Sequence, residues 1–183
     1  LLPLNKSDQR IALIGALAND NNSPLGNWRT NSDNKTAVTV LEGMKAYPDN
    51  KLIYSKGADV NLNDDGVVKF HEKVKINDTD KSGFNAAKNA AKNADVVVMV
   101  PGEDGFQSGE GRSRTDIGIP GVQQELLEEV YKVNKNIVLV LMNGRPLNIN
   151  WADKNIPSIV EAWQLGTQTC LLYTSDAADE RHC

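Results

Sequence analysis

Histidine and cysteine are nearly missing from this 183-residue chain, which holds two of each. Both cysteines, Cys170 and Cys183, fall at the very end with His182, leaving His71 alone in a polar stretch. A zinc site needs clustered His and Cys ligands, so no metal is expected. A serine hydrolase needs a histidine base and a strained nucleophile turn; Ser108 and Ser113 have neither a G-x-S-x-G setting nor a well-placed histidine. The carboxylates of residues 104–116 lack the spacing of a calcium loop. Phosphate fingerprints are missing as well. The first apolar run leads into Ala16-Leu17-Ala18-Asn19 rather than G-x-G-x-x-G, and residues 105–111 carry glycines without the Lys-Ser/Thr of a P-loop. Neither NAD nor ATP, nor any other cofactor, is expected. No apolar run approaches membrane-spanning length, which argues against a membrane partner. A net charge of −4 without a Lys/Arg cluster argues against nucleic acid.

What remains is an ordinary globular composition, 40% hydrophobic and 24% charged, in a chain long enough for one domain. Five short apolar runs read as strands: residues 10–17, 51–55, 94–100, 136–142 and 158–163, with one further short strand expected at 67–70. Between them, helical spacing runs from Thr36 to Ala46, over 82–93 with Ser82 as N-cap, and from Pro120, placed at the first helical position, to Val133. Continuous apolar strands alternating with helices predict a three-layer α/β/α sandwich with a mostly parallel sheet covered on both faces. Met44, Met99 and Met142 fall in apolar runs and read as core; Trp151 and Trp163 read as core or interface residues.

The last segment, CLLYTSDAADERHC, does not continue the pattern before it. Residues 170–180 resemble the in-frame translation of a transposase-type sequencing-library adapter. On that reading residues 170–183 form a non-native tail, the natural domain is 1–169, and no disulfide joins Cys170 to Cys183. The chain opens on Leu1-Leu2-Pro3 and reads as a fragment, incomplete at its C-terminus, which would leave apolar surface and a sheet edge exposed.

The stretch VVVMVPGEDGFQSGEGRSRTDIGIPG, residues 96–121, carries the chemistry. A buried strand breaks at Pro101-Gly102 into a Gly-rich loop bearing Glu103, Asp104, Glu110, Arg112, Arg114 and Asp116. The loop beyond the C-terminal end of a parallel strand is where α/β sheets place ligands. With phosphate, metal and serine chemistry set aside, carboxylate chemistry is left. Glu103 directly follows the strand. Glu110, between Gly109 and Gly111, is set to act as a partly desolvated proton carrier. Arg112 and Arg114 can orient these carboxylates or pair with Asp116. Residue types alone leave a solvated acidic connector open, and favour it. Arg145-Pro146, after the fourth run, reads as a turn device or as an anchor for a loop carboxylate.

The blocks VPGEDGFQSGEGRSRTDIGIPGVQQELL, NIVLVLMNGRPL and IVEAWQLGTQ, with LLPLNKSDQRIALIGALAND and LGNW at the start, resemble the C-terminal α/β domain of glycoside hydrolase family 3, bacterial β-glucosidase type. The resemblance implies a retaining two-carboxylate β-glycosidase acting on β-linked oligosaccharides or aryl glycosides. Its nucleophile would be an aspartate on an N-terminal (β/α)₈ barrel, the domain's own partner, which this chain does not contain. It implies that Glu110, in Ser108-Gly109-Glu110-Gly111-Arg112, is the general acid/base, that Glu103 and Arg112 support it, and that Trp28 flanks the sugar. An indole face suits the apolar side of a pyranose. A periplasmic or secreted location follows only from the habit of the family. The competing reading is a non-catalytic carbohydrate-binding or interface module on the same fold.

Overall fold

The computed structural model describes residues 1–29, 31–63, 68 and 72–168. His71, both cysteines, His182, the segment 170–183 and the expected strand at 67–70 (apart from the buried Val68) lie outside the described residues.

Five parallel strands form one sheet: β1 (Arg10–Ile14), β2 (Lys51–Ser55), β3 (Val96–Met99), β4 (Ile137–Leu141) and β5 (Ser158–Glu161), in the order β2-β1-β3-β4-β5. The apolar runs form these strands because β3 and β4 are buried on both faces, so neither alternate residue has to be polar. Successive side chains point to opposite faces. Ala12, Ile14, Val97, Met99, Ile137 and Leu139 meet one set of helices: α2 (Phe84–Lys92), α3 (Gln123–Val133) and α4 (Asn150–Asn155). Ile11, Leu13, Val98, Val138 and Val140 face the other side, where α1 (Val40–Lys45) packs through Val40 and Leu41. Trp151 stands edge-on to Tyr131, centroids 5.4 Å apart, at the rim of the first core. Met99 and Met142 are buried, and Met44 is half-buried against the second core.

The strand order places the ligand end. From β1 the chain crosses to β2 on one side, then passes back over β1 to reach β3 on the other. Right-handed crossovers therefore put α1 on one face and α2, α3 and α4 on the opposite face. The reversal falls between β1 and β3, so the chain leaves those two strands toward opposite sides at their C-terminal ends, where open α/β sheets place ligands. On the α1 face the cover is partial: an apolar groove of about 280 Å³ lies over Val98, Val138, Val140 and Val160, walled by Leu2, Leu4, Met44 and Tyr47.

Several boundaries differ from expectation. The first helix begins later, at Val40, because Thr39 accepts from the Glu42 amide while Glu42 accepts from the Thr39 amide, a reciprocal capping box. Ser82 is not an N-cap: its amide donates to Asp80, and Gly83 precedes the helix without a side-chain cap. Pro120 is not at the first helical position either. Gly121 has φ +65° and its Cα sits against the Asn77 carbonyl, so the chain turns once more before Gln123. The helix α4 is absent from the sequence-based expectation; at six residues it is too short to show a helical period. Trp163, expected in the core or an interface, follows the end of the outer strand β5 and is 44% exposed, with φ +52°.

Candidate active site

The loop of interest begins where β3 can no longer continue. Met142 donates to the Pro101 carbonyl (3.1 Å) and Glu103 donates to the Met142 carbonyl (2.8 Å), carrying the strand pairing past the ends of β3 and β4. This close approach needs glycine at 102: with φ +154°, an added Cβ would lie 1.8 Å from the Met142 oxygen. The buried Gln123 amide closes the other side, accepting from the Gly102 amide and donating to the Gly102 and Pro120 carbonyls. The start of the loop is thus tied at once to β4 and to the first turn of α3.

Glu103 lies at the C-terminal edge of the central strand and is 1% exposed. Two arginines converge on its Oε1: Arg114 Nη1 at 2.8 Å and Arg145 Nε at 2.9 Å. The second contact is an ion pair rather than an aligned hydrogen bond. A carboxylate this deep is tolerated only when paired, and here it has two cations. Arg114 also donates to the Gly118 carbonyl (3.1 Å), and Asp116 accepts from the Gly118 amide (2.8 Å) instead of pairing with an arginine. The anchor role for Arg145, and the orienting role for Arg114, are the ones the geometry supports. Arg112 donates to the Glu72 carbonyl (2.7 Å) and lies apart from Glu103's ion pairs.

Glu110 sits at the tip of this loop and is exposed, not partly desolvated as expected. Among the described residues no hydrogen bond or ion pair holds its carboxylate. Its neighbours adopt left-handed backbone: Gly109 at φ +112° lies against the Asn27 amide, and Gly111 at φ +67° has open space where a Cβ would stand. Position therefore comes from the loop's stems rather than from contacts at the tip.

The loop leaving β1 packs directly against this loop. Asn27 donates to the Ser108 carbonyl (2.7 Å), and the Arg29 guanidinium lies 5.2 Å over the Phe106 ring. Trp28, between them in sequence, is 74% exposed on the same loop. Sequence reasoning sets Glu103 and Glu110 past the C-terminal end of a strand, and in the structure they follow β3; Trp28, singled out by the resemblance alone, lies on the adjoining loop that leaves β1. Sequence reasoning assigns nothing to Asn27 or Gln123 and names Asp104 only among the loop's acidic residues, because their contacts run across 21 to 81 residues of sequence.

Asp104 joins the two loops. It is buried, accepts from Phe106 N (2.8 Å) and Asn61 Nδ2 (3.0 Å), and shares Ser23 with Asp20, which takes the Ser23 hydroxyl at 2.5 Å. Burial pushes the Asp104 carboxyl up to about 6, and Asp20 adds to the rise; the Phe106 amide, Arg29 and Ser23 oppose it. The unfolded value is near 3.8, so the folded state holds a proton between about pH 4 and 6 that the unfolded state has released. The site's contribution to stability therefore falls as pH rises through this window, by up to about 3 kcal/mol, and is level above it. Asp104→Asn should flatten that part of the profile. Urea unfolding of both proteins from pH 4 to 7.5 measures it, and an unchanged slope would contradict the assignment.

Among the described residues, no three His, Cys, Asp or Glu side chains come together to hold a metal ion, and no helix is long and apolar enough to cross a membrane.

Residues 1–171 match the family model described as the glycosyl hydrolase family 3 C-terminal domain. The chain is 41% identical over 174 residues to a periplasmic β-glucosidase of Salmonella typhimurium, and 37% identical over 173 residues to a β-xylosidase of Formosa agariphila. Each alignment covers 91% of this chain but only 22% of the relative. A crystal structure of a Listeria innocua β-glucosidase with isofagomine superposes with a TM-score of 0.77 at 26% identity, covering 98% of this chain and 22% of that one. The parallel sheet, its crossovers and the matched residues agree: this chain belongs to glycosyl hydrolase family 3, in the part described by the family's C-terminal domain.

Proposed function

We propose that this chain supplies the acid/base half of the active site of a retaining β-glycosidase that releases terminal β-linked sugars. The observation that carries the reading is the placement of Glu110. It is a carboxylate presented to solvent at the C-terminal end of β3, beside the topological reversal, on a loop whose stems are fixed. In the first step, an aspartate from a domain outside this chain attacks the anomeric carbon while Glu110 protonates the departing oxygen. In the second, Glu110 takes a proton from water, which displaces the aspartate and returns the configuration to β. The two carboxyl groups must stand about 5–5.5 Å apart across the sugar. An exposed Glu110 fits this division of labour, since the wall that would desolvate it has to come with the sugar and the second domain.

Trp28, exposed on the neighbouring loop, is the platform for the apolar face of a sugar ring. Glucosides and xylosides are the substrate classes suggested by the relatives' names, and an exported location by the periplasmic one. No cofactor enters either step, since both carboxylates carry only protons and the glycosyl group.

The chain by itself should not hydrolyse an aryl β-glucoside, because on this reading the nucleophile comes from another domain. The purified chain, shown to unfold cooperatively, is incubated with 4-nitrophenyl β-glucoside. Turnover above the rate in buffer would overturn the split-site reading.

A further inference from the structure

We propose that Arg145 is a positioning residue for the acid/base loop: it closes residues 107–112 into one fixed turn so that Glu110 is presented in a single place. The proposal rests on the reading of Glu110 given above. One nitrogen of its guanidinium, Nη2, donates to two carbonyls, that of Gln107 and that of Arg112 (2.8 Å). These two carbonyls lie on the two stems of the segment that carries Glu110. Between them the backbone is tied to itself by Arg112 N donating to Gly109 O at 3.2 Å. Two of the intervening residues are glycines with left-handed φ, so the segment has little stiffness of its own.

The guanidinium is in turn held from behind. Its Nε lies 2.9 Å from the buried Glu103 carboxylate, so the charge is neutralised at the sheet and the fork points outward to the loop. Asn143, fully buried, donates to Arg145's own carbonyl (2.8 Å) and fixes its backbone. Gly144 leaves room for the loop to seat: an added Cβ would lie 1.8 Å from Ser108 Oγ. Asn143-Gly144-Arg145 is therefore the bed on which the loop from β3 rests, beyond its part in turning the chain after β4. A planar fork with several donors suits this task and a lysine does not, because one ammonium cannot face Glu103 and both carbonyls in fixed directions.

Misplacing a proton donor by about 1 Å costs on the order of 100-fold where the transfer matters and little where it does not. The test uses a complete family 3 enzyme carrying this domain, with R145M, R145K and E110Q compared on a β-linked disaccharide and on 2,4-dinitrophenyl β-glucoside. The dinitrophenolate leaves without a proton. R145M should lower kcat on the disaccharide about 10- to 100-fold while KM and the glycosylation rate of the dinitrophenyl substrate stay within about threefold. R145K should fall between R145M and wild type, and guanidinium chloride should restore part of the R145M rate. Equal losses on both substrates, or no loss on the disaccharide, would overturn the positioning role. E110Q keeps the two ideas apart: a leaving-group effect in E110Q without one in R145M removes the Arg145 role and leaves the Glu110 reading standing. If E110Q shows no such effect, the Glu110 reading fails and the loop is judged on this chain alone. Glutamyl endopeptidase cleavage after Glu110 should then be at least about tenfold faster in R145M than in wild type under native conditions, and equal rates would reject the closure itself.

Discussion

Replacing Glu110 with alanine in a complete enzyme carrying this domain is expected to slow hydrolysis of an unactivated β-linked disaccharide by about 10²–10⁴-fold. Both chemical steps lose their proton carrier, but they lose it differently. A dinitrophenyl leaving group departs as a stable anion, so the first step with that substrate should change by less than about tenfold. The glycosyl-enzyme intermediate should then accumulate, because no base activates water in the second step. Azide needs no base to attack and should restore turnover, giving a glycosyl azide of retained configuration. Steady-state rates on the two substrates, with and without azide, measure all three effects. Wild-type rates on the disaccharide would show that Glu110 moves no proton and would favour the binding-module reading.

Removing Glu103 should cost more stability than any other single change in the loop. Glu103→Ala leaves the Arg114 and Arg145 guanidiniums facing each other in a largely dry site, and a broken buried pair costs about 3–5 kcal/mol. For a chain of this size each kcal/mol moves the thermal midpoint by about 2–4 °C, so a fall of roughly 6–20 °C is expected. The cost comes from the unpaired cations more than from the lost bonds. The triple replacement Glu103→Met, Arg114→Leu, Arg145→Leu should therefore recover most of the stability. It should not recover the fixed loop, since both ties to the Gln107 and Arg112 carbonyls are gone. Thermal and urea unfolding of the single and triple variants separate the two contributions. A loss below about 1 kcal/mol in Glu103→Ala would mean that water reaches the cluster and compensates the charges.

The same contacts show where sequence reasoning reaches and where it stops. The apolar runs at 94–100 and 136–142 fall on β3 and β4 because a strand buried on both faces shows itself as unbroken hydrophobicity. Helix starts are less legible. Thr39 and Gly121 set them through a side-chain cap and a close carbonyl contact, which local periodicity does not register. Arg145 is instructive in the same way. Its type and its place after a buried strand suggest an anchor, but its partners lie 33 to 42 residues away. Asp104 reads in the sequence only as one more acidic residue of the loop, since its raised pKa exists only because the surrounding loops bury it and bring Asp20 near.

By itself the sequence determined that this is an α/β chain with parallel strands, that its ligand end carries an acidic glycine-rich loop, and that its motifs resemble those of one glycosidase family. Hydrophobic period, glycine placement and residue type are local properties, and they survive without a structure. Only the tertiary structure decided the strand order, with its reversal between β1 and β3. It also decided that Glu103 is the buried hub between two arginines, while Glu110, seven residues on, stands at the exposed tip. Two glutamates of the same chemical type were separated into these places by burial and long-range pairing, which are set when distant segments pack and not by the residues on either side.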